Sequence, residues 1–177
     1  LAPLRAIRTS DLSPPARGLV YQLVQALGCL INGQAAPQLA ALNADDKKLL
    51  TTRGVHLGTH AIYLPAMFKP ARRNLLARLW KLAYPGVNLD VPEGGAASVP
   101  VVSGRDAKLL SALGFVAVGA RAIRIDLVDR IRRDLHRFAR RRNKVQLHEL
   151  MALVGCPRDE SASVLAALGF RAVDTST

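Results

Sequence analysis

IDLVDRIRRDLHRFARRR, residues 125–142, is the most regular amphipathic segment of this chain. Its apolar residues recur at helical spacing, which predicts a helix with one buried stripe. The residues of that stripe are Leu127, Ile131, Leu135 and Phe138. Asp126 stands where an N-cap would, and Asp129 follows three residues later, as in a capping box. The remaining faces of the predicted helix carry arginine.

The segment around this helix holds most of the positive charge of the chain. Residues 121–144 contain nine Arg and one Lys against three Asp, a formal +7 of the total +12. Such a density repels itself unless a polyanion is nearby at least part of the time. Asp126 and Asp129 each precede an arginine by four residues, so surface pairs with Arg130 and Arg133 are one interpretation. No carboxylate lies within a helical turn after Asp134.

Three interpretations of this basic helix stay open at the level of sequence. It is a solvated helix end whose cations complement the helix dipole, a nucleic-acid contact surface, or a membrane-surface helix. The last is disfavoured because the apolar stripe is committed to a core. Arginine suits phosphate contact because its fork of donors matches phosphate oxygens. The candidate contacts are Arg132, Arg133, Arg137, Arg140, Arg141, Arg142 and Lys144, followed by Arg72 and Arg73.

The N-terminal part of the chain reads as helical. Ser13 before two prolines predicts a helix start, and Gly28 its end. Weaker helices are predicted at Pro37–Leu42 and Ala44–Arg53, and extended chain with a short hairpin at Gly54–Pro65. Pro70 opens a helix to about Ala83, with Leu75, Leu76, Leu79 and Leu82 expected to point inward. Five Lys or Arg and no acid lie between Gly54 and Asn88, which predicts a second cationic surface.

The C-terminal part has the layout of a winged-helix unit. Residues 86–102 lack periodicity and are predicted to be a linker. A helix (Arg105–Leu113) and a hairpin (Phe115–Val118, Ala122–Ile125) precede the basic helix. Two further helices, Gln146–Val154 and Pro157–Leu168, have helix-turn-helix spacing. Strand Phe170–Val173 is expected to complete a small three-stranded sheet.

The predicted fold is therefore mostly α with minor β: a helical domain over 1–85, a linker over 86–102 and a winged-helix-like domain over 103–177. The second helix of the helix-turn-helix starts with Arg158, Asp159 and Glu160, one cation against two acids. This disfavours base-specific readout, since base edges are read mainly by Arg, Lys, Asn and Gln. The charge on the preceding helix suits backbone contact instead.

Motifs for catalysis or for a cofactor are absent from the sequence. It contains no phosphate-binding loop and no nucleophile elbow, and His56 and His60 lack further ligands for a zinc site. We therefore expect no catalytic residues, no metal and no cofactor. Among the aromatic residues, Tyr63 or Tyr84 is expected to be outside the core.

The two cysteines and the hydropathy indicate the cellular compartment. No apolar run approaches the about 18 residues that span a bilayer. Cys29 and Cys156 each follow a glycine and are expected to be buried, reduced thiols of a cytoplasmic protein. Because the chain begins at Leu1 without an initiator Met, we expect it to be a piece of a longer protein.

Three segments, in this order, resemble one known family. They are RGLVYQLVQALG (17–28), GVHLGTHAIYLPAMFKP (54–70) and GFVAVGARAIRID (114–126), of which the second is the most distinctive. The chain resembles, from about Leu12 to Val173, the C-terminal accessory region of alphaproteobacterial superfamily-two helicases related to the mitochondrial RNA-degradosome helicase. The resemblance implies ATP-dependent motor domains, with ATP and Mg²⁺, upstream of Leu1. The family's ATP- and metal-binding motifs have no matching positions in this sequence.

The sequence thus predicts a non-catalytic accessory module of a helicase that binds RNA or DNA through its backbone. Its other expected partner is the upstream motor. The alternative is a protein-interaction module that docks a nuclease or the helicase core, since a basic surface also matches an acidic protein. A free-standing transcription factor is disfavoured by the acidic residues at 159–160.

Overall fold

Two small antiparallel sheets sit among helices in this chain. The computed structural model describes residues 2–8, 11–85, 92, 95–101, 106–141 and 151–170, without the side chains of 106 and 139–141. Within these residues the chain is mostly helical, with two three-stranded sheets, as the sequence predicts in outline. None of the described helices is long and apolar enough to cross a membrane.

The N-terminal elements follow the predicted order. Ser13 caps the second helix, its Oγ accepting a hydrogen bond from the Ala16 N–H at 3.3 Å. The hairpin expected in Gly54–Pro65 forms from β2 (His56–Leu57) and β3 (Ala61–Tyr63). An unpredicted strand, β1 (Cys29–Ile31), joins it to give the sheet order β1-β3-β2. The elements are α1 (Ala2–Ala6), α2 (Pro14–Gln25), β1 (Cys29–Ile31), α3 (Ala36–Ala41), α4 (Ala44–Thr52), β2 (His56–Leu57), β3 (Ala61–Tyr63) and α5 (Pro70–Ala83), with 3-10 turns at Asn32–Gln34 and Pro65–Phe68.

The C-terminal sheet contains a strand from the segment predicted to be a linker. Its order is β4 (Ser98–Pro100), β6 (Arg121–Arg124) and β5 (Phe115–Val118), so β4 lies within residues 86–102. The third strand of this sheet was predicted at Phe170–Val173, and in the described residues β4 has that role. Phe170 is not in a strand, and residues 171–173 lie outside the described residues. The elements are β4 (Ser98–Pro100), α6 (Asp106–Ala112), β5 (Phe115–Val118), β6 (Arg121–Arg124), α7 (Ile125–Arg141) and α8 (Ser161–Ala167), with helical residues at 151–153.

The last described helix is shorter than predicted. The sequence places a helix over Pro157–Leu168, whereas α8 begins at Ser161, after a turn at 158–160. Of the preceding predicted helix, residues 151–153 are helical and 146–150 lie outside the described residues.

Hydrophobic contacts connect the N-terminal and C-terminal parts. One cluster of buried residues contains Leu76 and Ala77 of α5 together with Leu109 of α6 and Phe115 of β5. The N-terminal cluster in turn includes Ile125, the first residue of α7. The two parts therefore share core residues across the predicted boundary.

Helix α5 buries a different face from the predicted one. Leu76 is buried, but Leu75, Leu79 and Leu82 are 45 %, 44 % and 78 % exposed. The physical reason is that α5 packs on the described residues along one side, and a helix packed on one side buries a single stripe. That stripe contains Arg73 and Ala77 beside Leu76.

Candidate nucleic-acid interface

Helix α7 presents arginines opposite its buried stripe. Ile131 and Leu135 are 0 % and 7 % exposed, whereas Arg130, Arg133 and Arg137 are exposed. Residues spaced by three and four positions lie on one face of a helix. The three guanidinium groups therefore extend from one side of a helix that its apolar side anchors in the core.

The surface ion pairs considered for α7 are wrong. The Asp126 carboxylate instead accepts two hydrogen bonds from Arg124, from Nε at 2.7 Å and from the terminal nitrogen Nη2 at 2.8 Å. Asp129 is buried, with 4 % exposure. Within the part of the chain that the structure describes, neither Arg130 nor Arg133 is in an ion pair. Arg130 thus joins the candidate surface, although the sequence had left a pair with Asp126 open for it.

Asp129 fixes the position of α7 against the N-terminal sheet. Its Oδ1 accepts hydrogen bonds from the His60 N–H at 2.9 Å and from the Thr59 hydroxyl at 3.3 Å. A Cβ on Gly58 would lie 1.7 Å from Asp129 Oδ2, so this turn accepts the carboxylate only because residue 58 is glycine. The predicted capping box is therefore wrong: α7 continues directly from β6, and Asp129 binds the β2–β3 turn rather than its own helix start.

Two arginines of α7 lie within electrostatic reach of this turn and its strand. Burial lowers the pKa of His60, and the positive charge of Arg132 lowers it further, while Asp129 opposes the shift. Burial and the charges of Asp129 and Asp126 raise the pKa of Tyr63, which Arg133 opposes. Arg132 and Arg133 therefore lie near the β2–β3 hairpin, to which the neighbouring Asp129 is hydrogen-bonded.

Arg121 belongs to the internal structure rather than to the cationic surface. It is 8 % exposed, and it lies 2.9 Å from the Glu160 carboxylate and donates from Nε to the Ser98 hydroxyl at 2.8 Å. Ser98 in turn donates to the Val154 carbonyl. The network ties β4 and β6 to the segment before α8, and it gives one of the two acids at 159–160 a structural role.

The secondary candidates, Arg72 and Arg73, occupy different environments. Arg72 is partly exposed and donates to the Ala66 carbonyl at 2.6 Å. Arg73 is 2 % exposed, with its guanidinium carbon 4.7 Å from the centroid of the Phe115 ring. Burial lowers the pKa of Arg73. Arg73 therefore lies in the interior, where it binds the two parts of the chain together.

The remaining primary candidates are only partly described. Arg132 is half-buried, and Arg133 and Arg137 are exposed. Arg140 and Arg141 belong to α7, but their side chains are not described. Arg142 and Lys144 lie outside the described residues. The described portion of the surface therefore consists of Arg130, Arg132, Arg133 and Arg137.

Aromatic and thiol groups contribute little to this surface. Tyr63 is 5 % exposed and packs against His56 and Phe68, so of the two tyrosines considered for a position outside the core, Tyr63 is in the core. Tyr84 is 52 % exposed. Cys29 and Cys156 are free and partly rather than fully buried, and burial raises the pKa of Cys29 to about 12.

The described side chains form no evident metal centre. Among them, no group of three or more His, Cys, Asp or Glu residues could hold a metal ion. The arrangement on α7 offers fixed positive charge and hydrogen-bond donors, which bind anions.

No protein-family model, no curated protein sequence and no solved structure matches this chain.

Proposed function

We propose that this chain is a non-catalytic module that binds the sugar–phosphate backbone of RNA or DNA through α7. The observation that carries the proposal is the exposed face of Arg130, Arg133 and Arg137, which has no ion pair within the described residues. Three cations on one helix face repel one another. A polyanion relieves this repulsion and uses all three donor groups at once.

Backbone contact is favoured over base reading by the chemistry of the surface. Arg130 and Arg137 are seven residues apart, about 10 Å along the helix axis, so their guanidinium groups suit separate phosphates of one strand. The segment before α8 contributes acids instead, and Glu160 is engaged by Arg121. Contacts to phosphate position a protein without reading sequence, so we expect binding to tolerate any sequence.

The family resemblance extends the proposal to a larger protein. We infer a cytoplasmic, ATP-dependent superfamily-two helicase in which this chain is the C-terminal accessory region. ATP and Mg²⁺ would bind the motor domains. The strands β5 and β6 with α6, α7 and α8 around them support a winged-helix-like description of residues 103–177, to whose sheet β4 (Ser98–Pro100) adds a strand from outside that range. Docking to the helicase core or to a nuclease is the alternative function.

Fluorescence anisotropy with labelled RNA and DNA strands of equal length tests the proposed binding. If about five phosphates of a single strand are neutralised, raising the salt from about 50 to about 200 mM should weaken binding about 100-fold. Strands of scrambled sequence should bind alike, and the purified chain should not turn over ATP. A flat salt response, or a strong preference for one sequence, would count against backbone binding.

A further inference from the structure

Helix α5 carries two apolar faces, of which one is packed. Leu76 and Ala77 pack with α6 and β5. Leu75, Leu79 and Leu82 are exposed by 45 %, 44 % and 78 %. Their spacing of four and then three residues places them on one continuous ridge, which we call the outer leucine ridge.

The outer leucine ridge differs from ordinary exposed apolar residues. Single exposed leucines are common on protein surfaces and need no explanation. Leucines spaced by four and three residues instead have the repeat of a helix–helix seam, in which each side chain inserts between side chains of a partner helix. The ridge therefore has the geometry to receive another helix.

Positive charge flanks the ridge on the same helix. Arg78 is exposed and is in no ion pair within the described residues, and it lies at the edge of the ridge, three residues after Leu75 and four before Leu82. Arg72 lies one turn before Leu75 and is partly exposed. No acid occurs between Gly54 and Asn88. A matching helix would therefore carry carboxylates beside its apolar stripe, since charges that flank a helix seam select the partner.

We propose that the outer leucine ridge of α5 docks an acidic amphipathic helix of a partner protein. The apolar side chains of that helix pack against Leu75, Leu79 and Leu82, and its carboxylates face Arg78 and Arg72. A second copy of α5 fits less well, because it would set cations against cations. Nucleic acid fits less well too, because the leucines offer no donor to a phosphate. The proposal is independent of nucleic-acid binding by α7.

A designed peptide provides the probe. It is about three heptads long, with Leu at the a and d positions and Glu at e and g, and the control peptide has Lys in place of Glu. We expect the chain to bind the acidic peptide and not the basic one in fluorescence anisotropy. Leu79→Gln with Leu82→Gln should weaken binding at least about tenfold, and Arg78→Glu should weaken it several-fold.

Matched variants separate docking from stability. Tyr21→Gln removes another exposed apolar side chain, 63 % exposed on α2, and should leave peptide binding unchanged. The leucine double variant should keep the wild-type melting temperature and RNA affinity, because its residues are exposed and bear no charge. Equal binding of the acidic peptide to wild type and double variant would overturn the proposal, as would equal binding of the basic peptide. Self-association through these leucines in sedimentation, or loss of RNA affinity in the double variant, would assign the ridge to another occupant and overturn it as well.

Discussion

Asp129 is the residue that most directly connects the two parts of the protein. Its buried carboxylate accepts a backbone and a side-chain hydrogen bond from residues about 70 positions earlier in the chain. A sequence pattern reads Asp129 as a local cap because Asp126 precedes it by three residues. The spacing of the two aspartates carries no information on hydrogen bonds from residues distant in sequence, and the local interpretation was wrong.

Asp129→Ala should lower the free energy of unfolding by roughly 2–3 kcal/mol, because it leaves the partly buried His60 N–H without its charged acceptor. Asp129→Asn keeps an oxygen acceptor and should cost less. Urea unfolding measures both. Asp134→Ala, on the same helix but partly exposed, is the matched control and should stay within about 0.5 kcal/mol of wild type. Equal effects of Asp129→Ala and Asp134→Ala would show that the buried contact contributes nothing.

His60 should make stability depend on pH in a defined direction. Burial and Arg132 lower its pKa from 6.5, so the unfolded chain takes up a proton at a higher pH than the folded chain. Above about pH 6.5, His60 is neutral in both the folded and the unfolded chain, and its full contribution to the free energy of unfolding is present. As the pH falls from about 6.5 through the pKa of His60 in the folded chain, this stability is lost. The His60→Gln variant should therefore lose less stability than wild type over this pH range.

The position of Arg132 can be tested through the same histidine. Arg132→Gln should raise the pKa of His60 toward 6.5, as measured by an NMR titration of the imidazole, because it removes a nearby positive charge. An unchanged titration midpoint in this variant would contradict the placement of Arg132 beside the β2–β3 turn.

At the scale of elements, local patterns predicted helices well and sheet partners poorly. Part of the stripe predicted for α7, the Ser13 cap and the β5–β6 hairpin are visible in sequence because each depends on neighbouring residues. Of the four predicted stripe residues, Ile131 and Leu135 are buried, whereas Leu127 and Phe138 are only partly buried. Strands β1 and β4 have three residues each and pair with strands distant in sequence. A strand of three residues is too short for an alternation of apolar and polar residues to be recognised in the sequence.

The candidate site shows the same division between local and tertiary information. Sequence identified the arginine-rich helix, and exposure of Arg133 and Arg137 agrees with a cationic surface. It could not place Arg73 in the interior, because burial over Phe115 depends on tertiary packing. It also left open a pair between Asp126 and Arg130, whereas in the structure Asp126 pairs with Arg124.

The junction between α6 and β5 depends on a glycine. Gly114 has a φ of +80°, and a Cβ there would lie 2.2 Å from the Phe68 ring. Gly114→Ala should therefore destabilise the protein by roughly 3 kcal/mol or more, combining backbone strain with a clash. Gly33→Ala is the matched control, since a Cβ there meets nothing within 4 Å, and should change stability by less than about 1 kcal/mol. Thermal melting of the two variants should separate them clearly, and equal melting temperatures would contradict the close packing of Phe68 on Gly114.

At the scale of the whole molecule, contacts between the N-terminal and C-terminal parts hold α7 and its exposed arginines in place. Phe68 against Gly114, Arg73 over Phe115 and Asp129 under the β2–β3 turn all connect the N-terminal and C-terminal parts. The chain carries a net charge of +12. Attraction of a polyanion by this net charge alone is diffuse, whereas the proposed binding depends for a defined share of its strength on one face of α7.

The most direct test replaces Arg130, Arg133 and Arg137 by Gln and measures single-strand RNA affinity against salt. The matched control replaces three exposed cations elsewhere, Arg5, Lys47 and Lys48, by Gln, so that both variants lose the same charge. The α7 variant should retain its melting temperature and reduce the slope of log K against log salt by about two, while the control keeps nearly the wild-type slope. An unchanged slope in the α7 variant, or an equal reduction in both variants, would contradict nucleic-acid binding by this face.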